Sequence, residues 1–433
     1  MTESNTQDFQ QLALQLAGNQ SSAPWLDALR FEGSEQWMQA NWPGRRTELW
    51  KYTPLQALQR GGFSQWASAQ AHTLDENATL SLEAIRLVFV NGEFDAEAST
   101  GMNDAVVRFS QANKDQQAII SDNLGKIVDT KRHLFASLSN AWLQDGVLIH
   151  VAKNTQLDLP VYVLHVSTPE AEPAIANTRV LLVLEEGAQA ELIEHFVSDT
   201  QEQNGFVNSL TEINVAANAR CDHYRINLEE EHLIHVGGVH IHLHRDAQYH
   251  GFTLAEGSKL KRLDYQISYK GRGAQGNLNG VYLPRNQQLL DYHTNVEHEV
   301  AHCTTSEVFR GIISDRAKAV FNGRIHIHPD AQKTLAELSN KNLLTSDTAE
   351  VDTKPELEIY ADDVKCAHGA TVSQLDPTSM FYLQSRGLTK TQARTMLSFG
   401  FINELLQDLP QAAVREYLHE HLANLFAKEN LGS

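Results

Sequence analysis

Cysteine is nearly missing: three residues in 433. An odd, small number in a chain this long builds no disulfide framework, and reduced thiols in a cytoplasmic protein are the expectation. Basic residues are also scarce, with Lys and Arg totalling 35 against 54 Asp and Glu, a net charge of −19. Phosphate affinity comes from clustered Lys and Arg, which argues against a nucleic-acid binder or a protein held on an anionic membrane. No apolar run approaches the ~20 residues that a membrane helix needs. The opening MTESNTQDFQ has neither the basic nor the apolar region of a signal peptide. The length leaves room for two or three domains with a sizeable core.

Three textures follow one another along the chain. In residues 1–80, Phe9, Leu12, Ala13 and Leu16 recur at helical spacing and Gly18 is a stop. Amphipathic pieces follow at Trp25–Leu29 and Trp37–Trp42. The Arg- and Trp-rich PGRRTELWKYTPL then reads as packing with snorkelled charges. A polar stretch at 67–77 marks a boundary. Residues 81–375 change to strands, opening with IRLVFVNGEF, whose Asn91-Gly92 is a hairpin signal. Residues 104–141 form an irregular, partly helical insertion. Short apolar strands then alternate with turns at Ala188, Ala219, Ala247, Ala274, Ala317, Ala331 and Ala349. That texture suggests the stacked coils of a β-solenoid. A sandwich or cupin-like barrel stays open, because the spacing is uneven. Residues 376–433 are helical again. Thr389 and Gln392 make a capping box, and Ala393, Leu397, Phe401 and Leu405 trace one face. Val414, Leu418, Leu422 and Leu425 trace the face of a helix after Pro410. Such terminal helices pack on their own domain or dock a partner.

Several literal motifs compete for a function. HEVAH, from His298 to His302, spells the zinc-protease H-E-x-x-H, which needs both imidazoles on one helical face with Glu299 as base. On a strand the two histidines stand about 13 Å apart, at ~3.3 Å per residue, and share no metal. Strand texture on both sides weighs against it, and a zinc-dependent hydrolase stands as the rival reading. GRGAQG, from Gly271, precedes strand-like NLNGVYL, so it is a turn and no dinucleotide fingerprint. His240, His242 and His244 share one strand face, as do His326 and His328. Histidines about 6–7 Å apart on a strand hold one ion only with help from a second strand. A solvated or interface face is therefore the plainer reading.

The stretch from Glu356 to Leu388 carries the sharpest signal. A strand through Leu357, Ile359 and Tyr360 leads over Asp362-Asp363 into VKCAHGA. Spacing i, i+2 sets the Cys366 thiol and the His368 imidazole on one face of a strand. These are soft and borderline donors, suited to iron, zinc or a cluster, but two ligands do not complete a site. Asp376-Pro377 reads as a helix cap and first turn, and Gly387 as its stop.

ELEIYADDVKCAHGATVSQLD with FYLQSRGL, VFNGRIHIHPDAQKTLAELSNKNLLTSD upstream and RRTELWKYTPL near the start resemble, in order, the SufB/SufD family. The motif at Glu48, Trp50, Lys51, Tyr52 and Thr53 and the low cysteine count suggest its SufD branch. The resemblance implies a mainly β fold, a right-handed parallel β-helix between N- and C-terminal helical regions. It implies a non-catalytic scaffold in the SufBCD complex that assembles iron–sulfur clusters. The partners would be a SufB-like paralogue through the β-helix and the SufC-like ABC-type ATPase through the C-terminal helices, with Phe381, Tyr382, Arg386, Met396 and Phe401 at that contact. The chain has no G-x-x-x-x-G-K-[ST] loop of its own. The family's interface histidine maps onto His368, with Cys366 beside it, serving a transient iron–sulfur cluster that neither chain keeps alone. Cys221 and Cys303 are expected to be structural, and the isolated chain is open to self-pairing.

Overall fold

The computed structural model describes residues 3–18, 23–69 and 78–431. Most of the polar stretch 67–77 lies outside them. From Val147 onward, strands fall alternately into two parallel sheets, so that each strand between the end coils pairs with the second one before it and the second one after it. Eight coils result, the last made of Glu350–Ile359 in the first sheet and Lys365–Gln374 in the second. This is a parallel β-solenoid flanked by helices; the sandwich and barrel readings fall away. Ile234 pairs with Leu260 and Val147 with Val180, so a coil takes 26 to 33 residues. That variation is why the period was blurred in the sequence.

One corner of the solenoid explains four of the alanine knots. Asn154, Gly187, Asn218, Asp246, Gly273, His302 and Lys333 all have positive φ, one in each of the first seven coils, where the chain passes from the first sheet to the second. Asn, Asp and Gly tolerate that backbone best. The next residue turns inward with no room for a long side chain: Ala188, Ala219, Ala247, Ala274 and Cys303 are all fully buried. The carbonyls of this column accept from the following coil, for example Gln248 N–H to Ala219 and Leu335 N–H to Cys303. Cys303 is thus an alanine substitute in a packed column, where a thiol behaves as a small hydrophobe.

This corner also disposes of the zinc-hydrolase reading. Leu289–His298 is a strand, His302 is a left-handed corner residue with φ 63°, and Glu299 pairs with Lys270. His298 points inward, stacked on Tyr269 at 4.3 Å with Nε2 2.9 Å from the Thr305 hydroxyl. Strand spacing keeps the two histidines apart. Likewise Gly271–Ala274 form the turn between Leu260–Tyr269 and Gln275–Leu283.

The outer faces of the two sheets are covered by different ends of the chain. Helices α1 (Glu3–Gly18), α2 (Asp27–Gln39), α3 (Gln56–Gln59), α4 (Lys114–Asn123) and α5 (Leu134–Ala141) come from the N-terminal side. Phe9, Ala13, Leu16, Trp37 and Trp142 pack with Ile175, Phe206 and Ile234 of the first sheet. RRTELWKYTPL is indeed packing: the Arg262 guanidinium lies 3.7 Å over the Trp50 ring and the buried Thr53 hydroxyl donates to Asp291. At the other end, α6 (Pro377–Ser385), α7 (Lys390–Gln407) and α8 (Ala412–Leu431) follow the last strand. Ile402, Leu405, Val414, Leu418 and Leu422 cover Ile193, Tyr224, Phe252 and Val281 of the second sheet. The buried stripe of α7 runs through Ala393, Ser398, Ile402 and Leu405. Phe401, read as part of that stripe, sits beside it and is half-buried.

Candidate functional site

The two ends of the solenoid are finished differently. At the first coil, Ile85–Val90 pairs in parallel with Val161–Ser167 and turns through Asn91-Gly92 into the antiparallel Glu93–Thr100. Val106–Arg108 closes the neighbouring sheet against Val147–Val151 in the same antiparallel way. At the last coil nothing plays that part among the described residues. Glu350–Ile359 pairs only with Lys318–Ile327, and Lys365–Gln374 only with Leu335–Leu344. Two strands of ten residues each therefore present an unpaired backbone edge side by side. Free edges of that length are templates for pairing with another chain.

The inward side chains of this last coil lie open as well. Cys366 stands in register over Ala336, His368 over Leu338 and Val372 over Asn342. In the first sheet, Leu357 stands over Ile325 and Ile359 over Ile327. Ala336, Leu338, Ile325 and Ile327 are buried core residues, whereas Ile359 is 43% and Val372 50% exposed. The last coil is a core cross-section awaiting a lid. The strand expected for Cys366 and His368 exists, and the two side chains share its inward face. Cys366 is half-buried against the core and His368 is exposed. Burial pushes the Cys366 thiol above its ordinary pKa, so this chain by itself holds it protonated. Salt bridges ring the opening: Lys354 with Glu48 and Glu356, Lys318 with Asp352, and Arg324 with Glu358.

Beneath His368 and Leu338, one coil further in, Glu307 is fully buried. Burial pushes its carboxyl up to about 8, partly opposed by the Thr294 hydroxyl. Other buried carboxylates sit inside the solenoid with cations. Glu194 lies 2.8 Å from His223 and 3.2 Å from Arg225, and is held near 2; burial opposes that shift, and these two partners overcome it. Glu307 has no such partner. A carboxyl with a raised folded pKa supports the fold fully below its unfolded pKa of about 4.3 and loses that support as pH rises to about 8. Replacing Glu307 by Gln should therefore remove a decline on the order of 4 kcal/mol between pH 4 and pH 9. Urea unfolding at both pH values, wild type against variant, measures this. A stability gap that stays constant with pH would contradict it.

The positions expected to contact an ATPase fall into two groups. Phe381 and Tyr382 on α6 are 73% and 55% exposed, and Met396 on α7 is 59% exposed. Arg386 stacks over the Tyr382 ring at 5.1 Å and donates to its hydroxyl at 3.0 Å. Asp376 caps α6 through the N–H groups of Thr378 and Ser379, as its sequence suggested. Phe401 differs: Arg310 lies over its ring, donates to its carbonyl and pairs with Glu404, so it holds α7 on the second sheet.

The other histidines have structural surroundings. His240 is buried against His133, ring centroids 4.5 Å apart, and burial lowers both pKa values. Cys221 is fully buried in the core and its thiol pKa is raised by burial. His326 and His328 gain a third ligand-type neighbour, Glu297 from the strand beside them, which no reading of one strand could supply. Glu194 was missed too, although Leu192, Glu194 and Phe196 in one alternating phase were a signal that it faces inward.

Comparison with known proteins agrees with this architecture. Residues 4–163 match the SufBD protein N-terminal region, and residues 165–401 match the family described as SUF system FeS cluster assembly, SufBD core domain. The iron–sulfur cluster assembly protein SufD of Escherichia coli is 32% identical over 384 residues, 88% of this chain and 89% of that one. An iron–sulfur cluster assembly SufBD family protein of Synechocystis is 30% identical, covering 87% and 86%. SufD of Bacillus subtilis is 24% identical, covering 91% and 92%. With both regions matched in order on a β-solenoid between helical ends, this chain belongs to the SufB/SufD family of iron–sulfur cluster assembly proteins.

Proposed function

We propose that the chain is a non-catalytic scaffold subunit of a SufBCD-type complex, working in the cytoplasm. The open last coil carries this reading. Two free parallel edges and a bare core section fit a partner of the same architecture, stacking end to end as strand addition and burying the apolar side chains. The partner is a SufB-like paralogue. His368, exposed at that seam, is a competent iron ligand in its neutral form. A thiolate from the paralogue supplies the soft donor, and Cys366 stands beside it. The cluster is cargo, held by residues from two chains and therefore releasable; neither chain keeps it alone. Without the paralogue, two copies of this chain can pair through the same edges.

The second partner is a SufC-like ABC-type ATPase, docking on α6 and the outer side of α7 through Phe381, Tyr382, Arg386 and Met396. Large exposed aromatic residues on a polar-rimmed helix are the usual anchors of such contacts. Removing the whole C-terminus would be a poor test, because α7 and α8 cover the second sheet. The surface variant Phe381→Asp with Tyr382→Ser avoids that. Co-expressed with both partners, it should still carry the paralogue through size exclusion while ATPase binding falls at least tenfold. Full retention of the ATPase would remove this surface from the proposal. Failure to bring down the paralogue would count against the seam.

A further inference from the structure

Among the described residues, Glu297, His326 and His328 are the one group of three metal-ligating side chains whose donor atoms all lie within 4.8 Å of one another. They sit on the outside of the solenoid. Glu297 and His326 are in register on adjacent strands, and their neighbours Val296, Ile325 and Ile327 face the core. His328 follows one residue past its strand. His326 Nδ1 is 2.7 Å and His328 Nε2 3.0 Å from the same oxygen, Oε2 of Glu297. The other oxygen is already engaged, 2.5 Å from Arg324 and 3.1 Å from Asn295 Nδ2. Arg324 is in turn fixed by Glu358 of the last coil at 2.7 Å. The Tyr360 ring stands edge-on to His326.

A plain reading is a hydrogen-bonded hub, one carboxylate oxygen accepting two imidazole protons. Two features go further. The carboxylate is anchored by groups that leave Oε2 free of the guanidinium, the kind of outer support that orients metal ligands. The two rings also lie 4.2 Å apart, their planes 32° from parallel, and both reach one oxygen, rather than lying 6–7 Å apart as histidines along a strand do. Around a tetrahedral ion with bonds of about 2.0–2.1 Å, donors stand about 3.4 Å apart, so the two imidazole-to-carboxylate separations need lengthen by only about 0.4 to 0.7 Å.

We infer that Glu297, His326 and His328 form a binding site for a divalent first-row transition-metal ion. Two imidazoles and a carboxylate suit zinc, iron(II) or cobalt(II), and disfavour calcium and magnesium, which take oxygen donors. Three protein ligands leave a position open, and His328 is partly exposed. The site lies where the coil before that of Cys366 passes from the first sheet to the second. It stands independently of any role for His368.

Metal-free full-length chain titrated with cobalt(II) tests this through the visible d–d bands of the bound ion. One equivalent should bind and be displaced by zinc. Glu297→Gln and His326→Gln should each weaken binding at least tenfold, while Cys366→Ser with His368→Ala leaves it unchanged. If either of these variants unfolds, His328→Gln at the more exposed ligand reads the same loss. Non-saturating uptake, undiminished binding in the Glu297 and His326 variants, or loss with the Cys366/His368 variant would each overturn the site.

Discussion

With His368 replaced by alanine, the complex with the paralogue should form as before while its iron and sulfide content falls at least tenfold. The side chain is exposed at the end of the solenoid, over Leu338, and contributes nothing to the packed interior. Truncating it removes no buried contact, so neither the fold nor the apolar seam should suffer. What it removes is a nitrogen donor at a place where this chain has only one neighbouring sulfur. Cys366→Ser should have a smaller effect, because that thiol is half-buried, protonated in the uncapped chain and packed on the core. The measurement is iron and acid-labile sulfide per complex after co-purification, alongside size-exclusion profiles. Normal iron and sulfide in the alanine variant would end the assignment of His368, and loss of the complex itself would make the residue a structural one.

Charging the open coil should have the opposite signature. Ile359→Glu with Val372→Glu is expected to abolish pairing with the paralogue, by a hundredfold or more in Kd, while the isolated chain unfolds at nearly the same denaturant concentration. Both side chains are about half exposed before pairing, so a carboxylate there remains solvated. In a closed apolar seam each would be stripped of water, at a cost of several kcal/mol. The same variant should suppress self-pairing of the isolated chain, because both processes use the same edges. Sedimentation velocity on the variant, alone and mixed with the paralogue, reads both effects. Unchanged pairing would place the seam elsewhere on the molecule.

Legibility from sequence was greatest where structure is local. The Asn91-Gly92 hairpin, the capping box at Thr389, the Asp376-Pro377 helix start and the strand through Cys366 and His368 depend on neighbours a few residues away. Their side-chain and backbone preferences suffice to specify them. Family-like motifs added the order of the parts. Face and partner were harder. On α7 the sequence stripe ran through Phe401, whereas the second sheet receives Ile402, because a helix surface turns 100° per residue and the docking angle selects the stripe.

Composition and short-range pattern, then, were enough to establish a reduced, acidic chain of alternating strands between helical ends, with a thiol and an imidazole on one strand face. Only the stacking of coils decided that this face is the bare end of the solenoid. The same stacking buried Glu307 without a cation and brought Glu297 to His326, 29 positions along the chain. Strand alternation states that residues fall on two faces; it does not state which coil lies above. That is set by pairing between segments 26 to 33 residues apart, whose register emerges only when the whole core packs at once.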